Sequence, residues 1–351
     1  MLKSLSELAL NISEQDYRDI DCLSYSAIAK YEKGGFAAIS HLYDKQESDA
    51  LTFGSVVDTL ITEGQEKFND KFIVADFTLP TDSIKNIVDI LLDNTDEIDL
   101  DDVDDEVILR ICNECEYNFR LKDETRVAKV RNEGAQYYNI TKRAKGKEII
   151  SHEIYEDAVS TVMALRNHPL VGKYLGTTEG DTEFLYQLKF KTNLNGLEVK
   201  FMPDLLIVMH ASKTIIPVDL KTSSFPEYDF PKRYLENRYD IQARLYYRAL
   251  TKVLSEDDYF KNFKLSTFKF IVVNKFSLNP LVFRDDKCAE IGDIVLDFKS
   301  GRKSILRDPI TIGKELQEYL DNPTNVPIGI EKNQSNNIYE RIKLLWIKKR
   351  L

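Results

Sequence analysis

The stretch MPDLLIVMHASKTIIPVDLKTS, residues 202–223, decides the fold of this chain. It contains two apolar runs on either side of a short polar turn, which is the pattern of a β-hairpin. Yet Asp204 opens the first run, and Asp219 and Lys221 interrupt the second. Charged side chains at positions that would otherwise face a core need a physical reason.

A hairpin with Ala211 and Ser212 at its turn would bring these charges together. In that register Asp204 lies directly opposite Asp219, with their Cβ atoms ~5 Å apart, and Lys221 shares the face of Asp219. Two carboxylates this close repel each other unless a cation lies between them, and hard oxygen ligands favour Mg²⁺ or Mn²⁺ over zinc. The alternative interpretation is a surface hairpin with an ordinary salt bridge.

The preceding hairpin predicts a third acid on the same face. The sequence NLNG at 193–196 is a hairpin turn signal. If its loop has two or four residues, Glu183 has the parity that points it to the face of Asp204, up to two pairs away. We therefore expect one polar patch on an otherwise apolar sheet, formed by Glu183, Asp204, Asp219 and Lys221.

The order of the predicted elements indicates a mixed α/β protein with a helical N-terminal elaboration. We expect a single domain, 1–351, of which 1–150 is mainly helical and 151–280 is the core. The core contains a three-strand meander, a helix over 233–254 and a further strand. A C-terminal elaboration, 281–351, includes an amphipathic helix near 287–300.

Composition sets limits on the class of protein. The chain of 351 residues is 43% hydrophobic and 30% charged, which allows a sizeable core. With four cysteines, no signal-peptide pattern and no apolar run of ~18 residues, we expect a cytoplasmic protein without a membrane segment. The net charge of −10 comes largely from 93–116, which holds eleven acids and one base. Basic clusters at 142–147 and 341–350 therefore leave room for a local DNA-binding groove.

The pair Pro203-Asp204 followed by Asp219-Leu220-Lys221 resembles the signature of the PD-(D/E)XK nuclease superfamily. Gln242 and Tyr246, on the helix that follows, match the QxxxY motif of its RecB-like branch. The likeness is greatest to the exodeoxyribonuclease VIII group, relatives of phage lambda exonuclease. It covers roughly residues 20–280, with counterparts for LSYSAIAKYEKGG (23–35), LTFGSVVDTLITEG (51–64) and GKEIISHEIYEDAVSTVMALRNHPLV (146–171). It implies a restriction-endonuclease-like core: a central mixed sheet flanked by helices.

The resemblance also implies roles for individual residues. Asp204, Asp219 and the carbonyl of Leu220 would hold Mg²⁺ or Mn²⁺, and Lys221 would orient or deprotonate the attacking water. Glu183, the counterpart of an acid upstream of the proline-aspartate pair, and Asp58 would complete the metal shell. Gln242 and Tyr246 would position Lys221, the water or the substrate phosphate. Arg238 and Arg244 are weaker candidates for contacts to backbone phosphates.

One departure from the group concerns Asp58. The group usually has a histidine four residues after the glycine that corresponds to Gly54, and this chain has Asp58 there. An aspartate can ligate Mg²⁺ or Mn²⁺, but it changes the charge of the site. The alternative is an ordinary acid on a helix surface.

By resemblance, the activity is hydrolysis of DNA phosphodiesters by a 5′→3′ exonuclease on duplex DNA, serving recombination or repair, and a phage-encoded protein fits that expectation. A homo-oligomer and a single-strand annealing partner are further expectations. Two alternatives stay open: a weak or inactive nuclease-fold protein that binds DNA or a partner protein, and an endonuclease or RNase of the same fold. Cys112 and Cys115 also allow a zinc half-site, and the acidic run 93–106 is predicted to be a solvated face or a flexible loop.

Overall fold

The computed structural model describes residues 2–44, 48–144, 146–298 and 303–322. The chain divides into two compact units, Met1–Ala50 with Met163–Leu351 and Leu51–Val162. Residues 1–150 were predicted to form one mainly helical N-terminal part, whereas Met1–Ala50 belongs to the same compact unit as Met163–Leu351. The basic cluster at 341–350 lies outside the described residues.

The secondary structure alternates helices and strands. In chain order, the helices are α1 Glu14–Asp19, α2 Tyr25–Gly34, α3 Asp49–Thr62, α4 Gly64–Lys71, α5 Asp82–Asn94, α6 Asp105–Glu114, α7 Asp123–Arg143, α8 His152–Asn167, α9 Phe230–Glu236, α10 Tyr239–Ser255 and α11 Pro309–Asp321. The strands are β1 Phe72–Ala75, β2 Glu148–Ser151, β3 Thr182–Tyr186, β4 Phe190–Leu194, β5 Leu197–Phe201, β6 Leu205–Met209, β7 Thr214–Ser223, β8 Lys264–Leu265, β9 Phe268–Asn274, β10 Leu281–Asp285, β11 Ile294–Asp297 and β12 Lys303–Leu306. Among the described residues, no helix is both long and apolar enough to cross a bilayer.

A six-stranded mixed sheet forms the centre of the first unit. Its order is β10-β9-β7-β6-β3, with β8 beside β7; β7 runs parallel to β8 and β9, and the other pairs are antiparallel. The apolar side chains of α10 and of one sheet face belong to a single buried core cluster. The predicted class, α/β with a central mixed sheet and flanking helices, is therefore confirmed at that level.

The three predicted strands form the expected antiparallel meander, but its first two strands are interrupted, so that β3–β4 and β5–β6 make one long ribbon that bends. β4 and β5 pair around Asn195 and Gly196, whose φ values of 56° and 92° are those that a tight hairpin turn requires. β3 and β6 continue the ribbon in the same register. The break falls at Gln187, with φ 48°, and at Pro203, which cannot donate a ladder hydrogen bond. The hairpin β4–β5 therefore leaves the central sheet next to Asp204.

Two helix predictions need correction. The helix predicted over 233–254 is two helices, α9 and α10, separated at Arg238, which adopts a left-handed conformation with φ 56°. The helix predicted near 287–300 is wrong: Gly292 has φ 82°, and β11 follows it and pairs with β12. The β-branched residues Ile294 and Val295 favour the strand.

The second unit is mainly helical. α5, α6 and α7 share a buried apolar cluster, and β1 pairs with β2 in parallel. The acidic segment 93–116 contributes Leu100, Ile108 and Ile111 to this cluster, while most of its acids are exposed. It is thus a solvated face with an ordered apolar side. Cys112 and Cys115 are both free thiols.

Candidate metal and catalytic site

The charged residues of the 202–223 hairpin lie where β6 and β7 separate. The two strands are antiparallel, and their last pair is Leu205 with Val218. The same register carried one residue further sets Asp204 opposite Asp219. The register predicted from the sequence is therefore confirmed, and it puts both acids at the end of the paired region.

After Val218, β7 is no longer paired with β6, because the ribbon of β3–β6 bends away at Gln187 and Pro203. Residues 219–223 pair with 270–274 of β9 on one side. On the other side, the Leu220 N–H donates to Asp204 Oδ2 at 2.8 Å, so a side chain takes the place of a neighbouring strand. The N–H and C=O of one residue in an extended strand point to the same side. The Leu220 carbonyl therefore points toward Asp204 as well.

Asp219 is the centre of the cluster, and its side chain is only 1% exposed. Its Oδ1 accepts a hydrogen bond from Gln242 Nε2 of α10 at 2.5 Å. Its Oδ2 lies 2.7 Å from Lys221 Nζ. The structure thus brings together four residues that the sequence predicted: Asp204, Asp219, Lys221 and Gln242.

Lys221 is held as a cation. Its Nζ lies 4.9 Å from the centre of the Tyr239 ring, and its side chain is 19% exposed. Burial lowers the pKa of Lys221, but the negative charge of Asp219, with Tyr25 and Asp204, outweighs this and raises the pKa above its usual value. A protonated amine donates hydrogen bonds and cannot accept a proton. Both predicted roles of Lys221 stay predictions, because a cation held by Asp204 and Asp219 would offset the charges that raise this pKa.

The oxygen atoms at this point match the ligands that Mg²⁺ prefers. Asp204 and Asp219 supply carboxylates, and the Leu220 carbonyl points to the same place. Gln242 Oε1 is buried and accepts no hydrogen bond within the described part of the chain, whereas Asp219 Oδ2 faces the Lys221 ammonium at 2.7 Å. The described residues contain no group of three His, Cys, Asp or Glu side chains arranged for a metal. Mg²⁺ commonly binds to one or two carboxylates, with water and substrate oxygens completing its shell, so this donor set fits it.

Glu183 is not at this cluster. It has the predicted parity, but it pairs with Val208, which lies four residues from Asp204, or ~13 Å along the strand. Its carboxylate lies 3.3 Å from His210 Nε2 and accepts a hydrogen bond from the Leu5 N–H at 3.3 Å. The predicted four-residue patch therefore splits into two: a buried histidine–glutamate pair and the cluster around Asp219.

Asp58 belongs to the other compact unit, on α3. Its side chain is half-buried there. Its role as a metal ligand stays a prediction from the resemblance.

Tyr246 lies in the core behind Asp219. Its ring makes edge contacts with Tyr25 at 5.7 Å and tilted contacts with Phe201 at 5.7 Å. Burial raises the pKa of Tyr246 well above its usual value, with a smaller contribution from Asp219. These contacts favour packing of α10 on the sheet as its role.

The two arginines that were predicted to contact phosphates form hydrogen bonds with other groups of the protein. Arg244 is 0% exposed, and its guanidinium donates to the carbonyls of Arg307 at 3.2 Å and of Gly292. Arg238 bonds Asp240 at 2.8 Å and Glu32 at 2.7 Å. Both fix loops and helix ends, so the expectation of phosphate contacts is wrong for Arg244 and has no support for Arg238.

Tyr25 and Tyr239 were missed as site residues. Lys221 Nζ lies over the Tyr239 ring, and Tyr25 lies close enough to influence the pKa of Lys221. Burial raises the pKa of Tyr25, and the Lys221 charge opposes that shift. In the sequence, only its position could have identified Tyr239 as a site residue. It lies three residues, almost one helical turn, before Gln242, so both side chains lie near the same face of the helix.

Comparisons with known proteins add no family assignment. No protein-family model matches this chain. A search of curated protein sequences also finds no match.

Proposed function

We propose that this protein is a metal-dependent deoxyribonuclease that hydrolyses phosphodiester bonds. The observation that carries the proposal is the convergence of Asp204, Asp219, Lys221 and Gln242 at one end of β7. Two carboxylates and an ammonium group beside an open strand edge suit a phosphate ester that is attacked by water. The resemblance of the same residues to the PD-(D/E)XK signature points to the same chemistry.

Each residue has a distinct task in this proposal. Asp204, Asp219 and the Leu220 carbonyl would hold Mg²⁺ or Mn²⁺. When bound there, the ion supplies Lewis-acid stabilisation of a phosphate oxygen and a more acidic water. Lys221 would donate a hydrogen bond to the attacking water or to a phosphate oxygen. Gln242 fixes the rotamer of Asp219 through its amide. Water adds to phosphorus as the bond to the departing oxygen breaks; the attacking water passes its proton to bulk solvent, and the departing oxygen takes a proton from bulk solvent.

The finer expectations are part of the same proposal and rest on the resemblance alone. They are 5′→3′ exonuclease action on duplex DNA in recombination or repair, a homo-oligomeric state, and cooperation with a single-strand annealing protein. Asp58 as a metal ligand belongs with them.

A second candidate is a nuclease-fold protein that binds DNA or a partner protein without hydrolysis. The contact between Glu183 and His210 favours this second candidate, because Glu183 is then not a ligand of the proposed metal ion. Two carboxylates would then hold a metal ion weakly.

Hydrolysis of linear duplex DNA with and without Mg²⁺ tests the proposal. Asp204→Asn and Asp219→Asn should each lower the rate by about 10³-fold, since several kcal/mol of transition-state stabilisation depend on the ion. Asp297→Asn, at an exposed site on β11, is the matched control. Calorimetric titration with Mn²⁺ separates the two candidates. Mn²⁺ binding that depends on Asp204 and Asp219, with hydrolysis, supports the nuclease; DNA binding with neither refutes it and leaves the second candidate.

A further inference from the structure

Three aromatic side chains are exposed just beyond the candidate site. Phe225 and Tyr228 follow β7, and Phe276 follows β9; Tyr228 is 70% and Phe276 is 71% exposed. These exposed rings lie on two loops that are hydrogen-bonded to each other, and exposed apolar patches often mark a contact surface. We call Phe225, Tyr228 and Phe276 the aromatic ledge.

The aromatic ledge is built on ordered loops. The buried Asn274 side chain donates to the Phe225 carbonyl at 2.8 Å and accepts a hydrogen bond from the Phe276 N–H at 2.8 Å. The buried Glu227 accepts a hydrogen bond from Ser277 Oγ at 3.1 Å. These bonds tie the loop after β7 to the loop after β9. The rings are therefore presented on a fixed backbone, not on a loose loop.

Cationic groups lie against two of these rings. The Arg233 guanidinium carbon is 3.6 Å from the centre of the Phe225 ring, and Lys275 Nζ is 4.9 Å from that of Phe276. Glu236 pairs with Arg233 at 2.7 Å and so fixes the orientation of its guanidinium. Aromatic faces interleaved with cations suit a ligand that carries flat rings and negative charge.

The position of the ledge connects it to the candidate site. Phe225 follows Lys221 by four residues, which spans at most about 13 Å of extended chain. β7 and β9 are parallel, so their carboxyl ends lie at the same edge of the sheet. The ledge is therefore within reach of a strand whose phosphate lies at Asp219.

We propose that the aromatic ledge binds single-stranded DNA, with bases stacked on Tyr228 and Phe276 and phosphates facing Lys275 and Arg233. The choice of ligand rests on the proposed nuclease function, and it names the form of the substrate next to the scissile bond. Stacking on rings is tolerant of sequence, because every base has a π-face. The ledge would therefore hold a separated strand without selecting its sequence.

Fluorescence anisotropy with a labelled oligothymidylate, in EDTA, measures this binding without metal or cleavage. Phe276→Ala and Tyr228→Ala should each weaken binding by roughly 5- to 150-fold, the range of one base–aromatic stack. Both rings are exposed, so their truncation leaves the core intact. The matched control is Phe119→Ala in the other unit, where an equally exposed ring lies 5.3 Å from the Arg126 guanidinium. That variant should bind like the wild type.

Two further measurements identify stacking as the cause. An oligonucleotide with abasic sites keeps its phosphates but loses the stacks on both rings, so it should bind to the wild type at least as weakly as the normal strand binds to Phe276→Ala. Phe276→Trp should keep the affinity, and its indole fluorescence should be quenched by the normal strand. Equal binding of normal and abasic strands, or wild-type affinity in both alanine variants, overturns the proposal. Absence of any binding to the wild type also overturns it and leaves a protein partner as the occupant.

The outcome is separable from that of the proposed function. If the protein hydrolyses DNA in Mg²⁺ and the ledge variants bind the oligonucleotide as the wild type does, the ledge proposal is refuted and the proposed nuclease function stands. If oligonucleotide binding depends on the ledge but the protein does not hydrolyse DNA, the ledge proposal stands and the proposed nuclease function is refuted.

Discussion

Removal of the Lys221 ammonium should leave a buried charge without compensation. Asp219 is 1% exposed, and Lys221 Nζ lies 2.7 Å from its Oδ2. Loss of one partner of a buried ion pair costs about 3–5 kcal/mol, because the other charge stays desolvated. Lys221→Met keeps most of the apolar stem against Tyr239, so the charge is the main change. We expect the free energy of unfolding of the metal-free protein to fall by that amount.

Urea unfolding in EDTA, followed by circular dichroism, measures the loss. With an m-value of roughly 3 kcal/mol/M, the midpoint should fall by about 1–1.7 M. Because the chain has two compact units, hydrogen exchange of the peptide 214–223 assigns the transition to the unit that carries β7. The control is Lys303→Met, which breaks the exposed pair with Asp297 and should cost less than about 1 kcal/mol.

The double variant Asp219→Asn/Lys221→Met provides the internal check. It removes both charges, so it should recover most of the stability that Lys221→Met loses. A loss in Lys221→Met no larger than in Lys303→Met would refute the reasoning, since Asp219 would then be solvated. A double variant as unstable as the single one would also refute it, because the loss would come from packing of the stem.

Three further variants test neighbouring contacts. Gln242→Leu leaves Asp219 Oδ1 without its hydrogen bond and should lower the free energy of unfolding by about 1–3 kcal/mol, measured by urea titration, and lower the hydrolysis rate with it. Glu183→Gln should leave hydrolysis unchanged and reduce stability through its contact with His210; loss of Mg²⁺-dependent hydrolysis would restore Glu183 as a ligand. Arg244→Met should lower the free energy of unfolding by about 3–5 kcal/mol, and with it the melting temperature, but it should leave DNA affinity unchanged. Weaker DNA binding by the folded variant would contradict a purely structural role for Arg244.

The hairpin register was predictable because its signals are local. Two apolar runs joined by a short turn specify which residues face each other, because the loop length fixes the register of a hairpin. The Lys213 N–H closes the turn on the His210 carbonyl at 3.1 Å, with Ala211 and Ser212 between them as predicted. Asp204 and Asp219 follow from that register alone.

The bend at Gln187 was not predictable in the same way. TEFLYQLKFKT alternates without interruption across it. A left-handed backbone at a glutamine has no sequence signal comparable to glycine. The same holds for Arg238, whose φ of 56° splits a continuous helical pattern into α9 and α10. In both cases contacts distant in sequence impose the local conformation.

The placement of the first 50 residues also depends on distant contacts. Ile28 and Tyr31 of α2 share a buried cluster with Ile312 and Leu316 of α11, nearly 300 residues later. Tyr31 also donates to Glu315 at 2.6 Å. Helical periodicity predicts that α2 has an apolar face, but it carries no information on which later segment will cover that face.

The physical cost of the Asp219 cluster is itself an argument for function. A buried ion pair seldom stabilises a fold more than apolar residues of similar volume would, because desolvation offsets the attraction. Here Val218 and Ile215 show that β7 accepts ordinary apolar side chains in the same sheet. A structural role alone would therefore be served at least as well without Asp219 and Lys221. The buried Gln242 Oε1, which accepts no hydrogen bond from any described residue, adds to the cost. A bound cation and a phosphate would satisfy these groups together, which is why the cluster favours hydrolysis of a phosphodiester over a structural salt bridge.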